Sequence, residues 1–126
     1  MWDVPMLGSH PHDPCATKDG AIWWIGQLSN KPDRLDPTTG KVTEWQSPSG
    51  PKSGPYGIVF TKGALWYSVS FANPNTVVRF DPKTEKFQTW EISGGGDIVR
   101  NMDVAPNRNL MTANSPVNHV GMVEIK

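Results

Sequence analysis

The densest group of side chains able to do chemistry lies near the start of the chain, at His10, His12 and Asp13. Residues two apart share one face of a β-strand, so His10 and His12 are expected to converge on one ion, with the Asp13 carboxylate nearby. A histidine there is a candidate general base that removes a proton from a carbon next to a carbonyl, with a metal ion stabilising the enolate. The alternative is structural: His12 is a loop residue at the entrance to a strand, hydrogen-bonded to a neighbouring carbonyl.

An internal repeat predicts the elements that position these residues. Residues 34–45 (RLDPTTGKVTEW) return as residues 79–90 (RFDPKTEKFQTW), at an offset of 45 positions without a gap. A third, weaker copy begins near Arg100 and ends at residues 123–126, which align with residues 78–81 at the same offset. A period of about 40 to 50 residues is typical of stacked units such as four-stranded propeller blades. The prediction is therefore an all-β chain with three blades of antiparallel strands.

The repeats also predict the domain organisation, which is one domain with repeats at residues 2–45, 46–90 and 91–126. Strands are expected near residues 13–17, 21–26, 32–36 and 41–46, then near 57–61, 64–69, 76–81 and 86–92, and finally near 100–105, 109–113 and 120–125. Trp23 and Trp66 lie in equivalent strands and are predicted to be core residues between blades.

The two ends of the chain complement each other. The third repeat stops after its third strand, whereas residues 2–5 resemble the fourth-strand segments around Trp45 and Trp90. Known propellers have about four to eight blades, so three blades are too few to close a ring. We therefore expect residues 2–5 to complete the last blade in trans, in a homodimer that forms a six-bladed propeller.

Equivalent positions in the repeats place a candidate ligand site. His12, Tyr56 and Asn101 occupy one slot in successive repeats, with Arg100 beside the last of them. Because blades surround an axis, these side chains are expected to line a small-molecule site at the central channel. Our predicted catalytic residue is His12, no residue is assigned to a metal, and the candidate ligand-binding residues are His10, Asp13, Tyr56, Arg100 and Asn101. The competing hypotheses are a non-catalytic scaffold, whose channel residues are only structural, and a fragment of a longer propeller.

Composition excludes several classes of function. Twelve basic and twelve acidic residues give a net charge of zero, which provides no electrostatic basis for binding nucleic acid or an anionic membrane. No segment approaches the roughly 18 apolar residues that span a bilayer. Residues 1–5 lack the features of a signal peptide, so a cytoplasmic protein or a mature secreted one is expected. Cys15 is the single cysteine, which excludes an intrachain disulfide and suggests a small packing residue.

The chain resembles the virginiamycin B lyase (streptogramin lyase) family of β-propellers over nearly its whole length. The matching segments are Gly20-Ala21-Ile22-Trp23-Trp24, residues 34–44 and Gly54-Pro55-Tyr56-Gly57-Ile58. The resemblance implies a carbon–oxygen lyase that opens a cyclic depsipeptide at its ester, with a catalytic histidine, carboxylates and a divalent ion, typically Mg²⁺. The family's Pro-His-Gly entry is present here only as Pro11-His12-Asp13, whereas the second and third repeats carry Tyr56 and Asn101 at this place.

Overall fold

A computed structural model of the chain describes residues 1–95 and 97–126, which form three antiparallel sheets. Blade 1 contains β1 (Pro11–Ala16), β2 (Ile22–Gly26), β3 (Lys31–Asp36) and β4 (Lys41–Glu44). Blade 2 contains β5 (Pro55–Thr61), β6 (Ala64–Val69), β7 (Thr76–Asp81) and β8 (Lys86–Glu91). Blade 3 contains β9 (Val99–Val104), β10 (Leu110–Asn114) and β11 (His119–Val123). Single turns of 3₁₀ helix lie at Ser93–Gly95 and Ser115–Val117. The predicted all-β class and antiparallel blades are confirmed.

The repeated DP turns connect the third and fourth strands in the same way in both complete blades. Asp36 and Asp81 each accept, through Oδ1, the backbone N–H groups two and three residues on, at 2.9–3.4 Å. These hydrogen bonds hold the pKa of both carboxyls below its usual value. Gly40 completes the first turn at φ 72°, and Glu85 adopts the same left-handed conformation at φ 57° in the second. Because Glu85 has a side chain, this conformation costs more in the turn of blade 2 than it does at Gly40 in blade 1.

The core lies between the blades rather than within them. Trp23 of blade 1 packs against Leu65, Tyr67 and Phe80 of blade 2, and its ring stacks on Trp45 at 5.6 Å. In the same way, Trp66 of blade 2 packs against the apolar residues of blade 3 and stacks on Trp90 at 5.7 Å. Trp23 and Trp66 are only 2% and 4% exposed, so their predicted place in the core is confirmed.

The pairing in blade 3 corrects the alignment of the last repeat. In blade 2, Leu65 lies opposite Phe80, and in blade 3 the equivalent Leu110 lies opposite Val123. Val123 is therefore the counterpart of Phe80 and not of Val78, so the predicted alignment is wrong by two positions. Because two residues are one full strand period, the error leaves the predicted sheet face unchanged.

The outer faces of the first and last blades have no neighbouring sheet among the described residues. The blade 1 open face consists of Ile22, Trp24, Leu35 and Val42, which border a cavity of about 320 Å³ that residues 2–4 partly cover. The blade 3 open face consists of Met111, Ala113, Val120 and Met122. Val120 and Met122 are 83% and 63% exposed, which is unusual for apolar strand residues.

Residues 1–10 form no strand, but Trp2 occupies a recognisable place. A Cβ atom at Gly40 would stand 3.4 Å from the Trp2 ring. In the next repeat, the Trp45 indole N–H donates to Glu85, the equivalent of Gly40, at 2.9 Å. Trp2 therefore lies against blade 1 as Trp45 lies against blade 2. Across residues 1–95 and 97–126, no helix is long and apolar enough to cross a membrane.

Candidate functional site

The innermost strands position the candidate site, because β5 lies directly between β1 and β9. Each of these strands carries an irregularity near its start: between His12 and Cys15, between Pro55 and Ile58, and at Arg100, where the pairing with β10 shifts. A β-bulge changes the direction of a side chain and is common beside functional sites. The bulges therefore lie where the sequence places its candidate residues.

His12 and Tyr56 are in direct contact. Their ring centroids are 4.1 Å apart, with the planes tilted by 51°, and both side chains are half-buried. The Nδ1 atom of His12 is buried and has no hydrogen-bond partner. The structural alternative for His12 expected a hydrogen bond to a carbonyl, and Nδ1 makes none. This ring nitrogen is therefore free to accept a proton or a hydrogen bond from a ligand.

Asp13 connects the first two blades at the axis. Its Oδ2 accepts the backbone N–H of Ile58 at 3.3 Å, and its backbone takes the left-handed conformation at φ 47°. Asp13 also borders a cleft of about 490 Å³ together with Asn101 and Asp103 of β9. The structure thus brings Asp13 and Asn101 to one cleft, and Asp13 lies next to the contact of His12 with Tyr56.

Arg100 and Asn101 are both exposed at the start of β9. Asn101 lies opposite Ala113, the equivalent of the Ile25 that lies opposite His12, so Asn101 has the cross-strand place of His12 and Arg100 is the bulged residue beside it.

A close approach of two strands holds this part of the site together. A Cβ atom at Gly57 would stand 3.2 Å from the Arg100 carbonyl oxygen and 3.2 Å from the Met102 nitrogen, so a larger residue would require β9 to move by a few tenths of an ångström. The buried Ser68 hydroxyl accepts the Gly57 N–H at 2.9 Å and donates to the Val99 carbonyl at 2.8 Å. These contacts fix the spacing of β5 and β9 beneath the candidate residues.

His10 lies apart from the expected arrangement. It precedes β1, is exposed, and has a left-handed φ of 50°, while its carbonyl accepts the Gln27 N–H at 3.1 Å. The expectation that His10 and His12 share a strand face is wrong, because the strand begins only at Pro11. No cluster of three or more His, Cys, Asp or Glu side chains suited to a metal ion occurs in the described part of the chain.

Two further titratable groups lie on blade 1. Burial, and then the charge of Asp13, raise the pKa of the Cys15 thiol to about 11, so the thiol stays protonated and unreactive, as expected of a packing residue. Burial, and then the charge of Glu44, raise the pKa of Asp33 to about 7. Sequence reasoning did not identify Asp33, although the repeat contains the signal: the equivalent residue in blade 2 is Val78.

The stacked sheets with their inner strands side by side define this chain as a set of β-propeller blades. No protein-family model and no curated protein sequence matches the chain. Its fold is similar to that of a catalytically inactive virginiamycin B lyase from Staphylococcus aureus with quinupristin, with a TM-score of 0.79 and 20% identity over 98% of this chain and 44% of that one. The resemblance identified from the sequence is thus confirmed at the level of the fold.

Two more solved structures share the architecture. A streptogramin B lyase aligns with a TM-score of 0.78 and 20% identity, over 99% of this chain and 44% of that one. A putative 6-phosphogluconolactonase from Bacteroides fragilis aligns with a TM-score of 0.74 and 20% identity, over 94% of this chain and 36% of that one. The chain therefore spans less than half the length of these structures, and at this identity the likeness concerns the fold alone.

Proposed function

We propose that the chain contributes three blades to a propeller that binds a small molecule where the inner strands begin. We call this the axial site, and it consists of His12, Asp13, Tyr56, Arg100 and Asn101. The observation that carries the proposal is the contact of His12 with Tyr56, at 4.1 Å between ring centroids. Side chains from two blades meet there with an unpartnered ring nitrogen, in a region that Asp13 and its hydrogen bond to Ile58 hold together.

The side chains of the axial site suit a ligand that is partly apolar and partly polar. The rings of His12 and Tyr56 offer a flat apolar surface, whereas Asp13, Arg100 and Asn101 offer acceptors and donors of both charges. A few convergent polar groups beside aromatic surface are typical of sites that orient a small molecule. A non-catalytic scaffold would need no unpartnered buried nitrogen at this position, so this atom favours a ligand over the scaffold alternative.

A carbon–oxygen lyase activity is the more specific form of the proposal. The fold shared with virginiamycin B lyase supports it, together with the unpartnered Nδ1 of His12. In the proposed step, His12 takes a proton from the carbon next to a carbonyl of the substrate. The electron pair of that C–H bond forms a C=C bond, the neighbouring C–O bond breaks, and the ester oxygen leaves in a carboxylate.

Mg²⁺ does not fit the donor set of a single chain. Mg²⁺ prefers six oxygen ligands at octahedral positions, including one or two carboxylates. Asp13 is the one carboxylate of the axial site, its Oδ2 is already engaged by Ile58, and no metal-binding cluster of three residues occurs among residues 1–95 and 97–126. We therefore derive no step through a metal ion.

We further propose that a second copy of the chain covers the open faces and completes a six-bladed ring. Two features support this assembly. Trp2 already lies against blade 1 in the position that Trp45, at the end of a fourth strand, takes against blade 2. Blade 3 has three strands, and Val120 and Met122 on its open face are largely exposed. In a longer propeller, further blades of the same polypeptide would cover these faces instead.

Quinupristin, with and without Mg²⁺, is the ligand for the test. Calorimetry measures its binding, and mass spectrometry detects the ring-opened product. We expect binding that His12→Ala and Tyr56→Ala each weaken at least tenfold, since both remove a wall of the axial site. His119→Ala, which changes an exposed histidine on β11, is the matched control and should bind normally. Binding or turnover that survives His12→Ala unchanged would overturn the proposed site.

A further inference from the structure

Three side chains form a row across blade 1 that the axial site does not use. Trp24 on β2 lies opposite Asp33 on β3, which in turn lies opposite Glu44 on β4. Directly opposed residues project from the same side of a sheet, so the row belongs to the side that carries the blade 1 open face. Asp33 is 0% exposed, which is rare for an aspartate, and the nearby charge of Lys31 lowers its pKa without forming an ion pair with it.

The polar atoms of this row lack partners. Neither carboxylate oxygen of Asp33 receives a hydrogen bond, and the buried Oε1 of Glu44 receives none. Lys31 reaches only the other oxygen of Glu44, at 3.7 Å. The Trp24 indole N–H lies near enough to lower the pKa of Asp33 slightly, but makes no hydrogen bond of normal geometry. An ionised carboxylate without donors is one of the most costly groups to bury.

A proton on one of the two carboxyls would supply the missing hydrogen-bond donor. Ionised carboxylates are acceptors only, whereas a protonated carboxyl has one O–H donor that a neighbouring carboxylate can accept. Like charges at adjacent carboxyls disfavour ionising both, and one of the two then retains its proton to higher pH. Lys31 lies 3.7 Å from Glu44 and makes no such contact with Asp33, so we take Asp33 as the member that holds the proton.

We propose that Asp33 and Glu44 share one proton and that this pair acts as a pH switch on the blade 1 open face. While the proton is held, the pair carries a single negative charge balanced by Lys31, and the face can accept an apolar cover. Once both groups ionise, the face carries a buried charge that opposes covering. The pH switch rests on the proposed assembly, whereas the shared proton concerns the single chain.

The direction of the pH effect follows from burial. The pKa of Asp33 is raised to about 7 in the folded chain, above its unfolded value of about 3.9. A raised acid pKa contributes stability that is fully present below the unfolded pKa and is lost as pH rises through the folded pKa. Across that window, the unfolding equilibrium constant should rise by up to about tenfold per pH unit.

The other titratable groups near the row are Lys31 and, around the adjoining cavity, Asp3 and His12.

The experiment measures urea unfolding at pH 5, 6, 7 and 8, with the ¹³C carboxyl shift of Asp33 followed by NMR. We expect the wild type to become less stable as pH rises, and Asp33→Asn, Glu44→Gln and Asp33→Val to flatten this dependence. Asp33→Val copies Val78 of blade 2 and remains informative if Asp33→Asn folds poorly. Glu91→Gln, which removes an exposed strand carboxyl on blade 2, is the control and should keep the wild-type slope.

Light scattering at pH 5.5 and pH 8.5 separates the two parts of the proposal. A dimer that dissociates at pH 8.5 in the wild type but persists in Asp33→Val supports both parts. A monomer at both pH values, with the pH-dependent stability intact, supports the shared proton and overturns the assembly and its switch. An Asp33 that titrates near pH 4, with wild type and Asp33→Asn changing stability in parallel, overturns the proton pair whatever the oligomeric state.

Discussion

Blades 1 and 2 present the same sheet face to different surroundings. In blade 2, Tyr67 and Val78 lie buried against Trp23 of blade 1, and the Tyr67 hydroxyl lies 2.6 Å from the Ser47 hydroxyl. In blade 1, the equivalent residues are Trp24 and Asp33, whose polar atoms make no hydrogen bonds. Of these two faces, the covered one is apolar at Val78 and pairs its Tyr67 hydroxyl, whereas the open one retains unpaired polar groups at Trp24 and Asp33.

The largest expected effect concerns the two tryptophans that are buried between neighbouring blades. Trp23→Ala and Trp66→Ala should each lower the free energy of unfolding by about 3 to 5 kcal/mol, because each leaves a cavity between two blades. Chemical denaturation measures this loss, and Trp2→Ala, at a half-exposed tryptophan that takes the place of Trp45 on the uncovered side, is the control. A loss below about 1 kcal/mol for either core variant would contradict the interblade packing described above.

The next prediction tests whether the neighbouring blade determines which type of residue is tolerated at position 78. Val78→Asp places the blade 1 residue on the covered face of blade 2 and should cost about 3 kcal/mol at pH 8, since the new charge has no partner. The cost should shrink towards pH 5, where the carboxyl can be protonated. Val78→Asn, which is polar but does not titrate, should show no such pH dependence. Equal losses for the two variants at both pH values would mean that shape, and not charge, sets the residue at this position.

The smallest effect concerns one hydrogen bond between the blades. Tyr67→Phe should lower the free energy of unfolding by about 1 kcal/mol, the usual contribution of a buried hydrogen bond. Burial raises the pKa of Tyr67 well above its usual value, so the hydroxyl stays protonated across the accessible pH range. A double-mutant cycle with Ser47→Ala should give a coupling energy of similar size. If the two losses simply add, the contact between these hydroxyls does not stabilise the joint between the blades.

Much of the fold could be predicted from the repeat, because each period of the sequence encodes one blade. Strand positions agree with the structure to within about two residues at nearly every end, and Trp23 and Trp66 are core residues as expected. Two details were wrong for a geometric reason. The counterpart of Val123 and the place of His10 depend on bulges and strand pairing, which leave no mark in residue type.

The candidate site was only partly predictable. The sequence alone pointed to His12, Asp13 and Tyr56 as neighbours, since equivalent positions of successive blades meet at the axis. It did not point to Asp33, because an aspartate in a strand is ordinarily taken to face water.

The sequence by itself determined the unit of structure: the DP turns, the tryptophan strands and the period of 45 residues are local patterns that each blade satisfies alone. Tertiary structure alone decided which polar atoms are buried and which are paired. That outcome depends on which face has a neighbour, and a blade's own residues do not specify its neighbour. Asp33 and Val78 occupy equivalent positions, yet only the stacking of blade 1 on blade 2 makes one a packed core residue and the other a carboxyl without a donor.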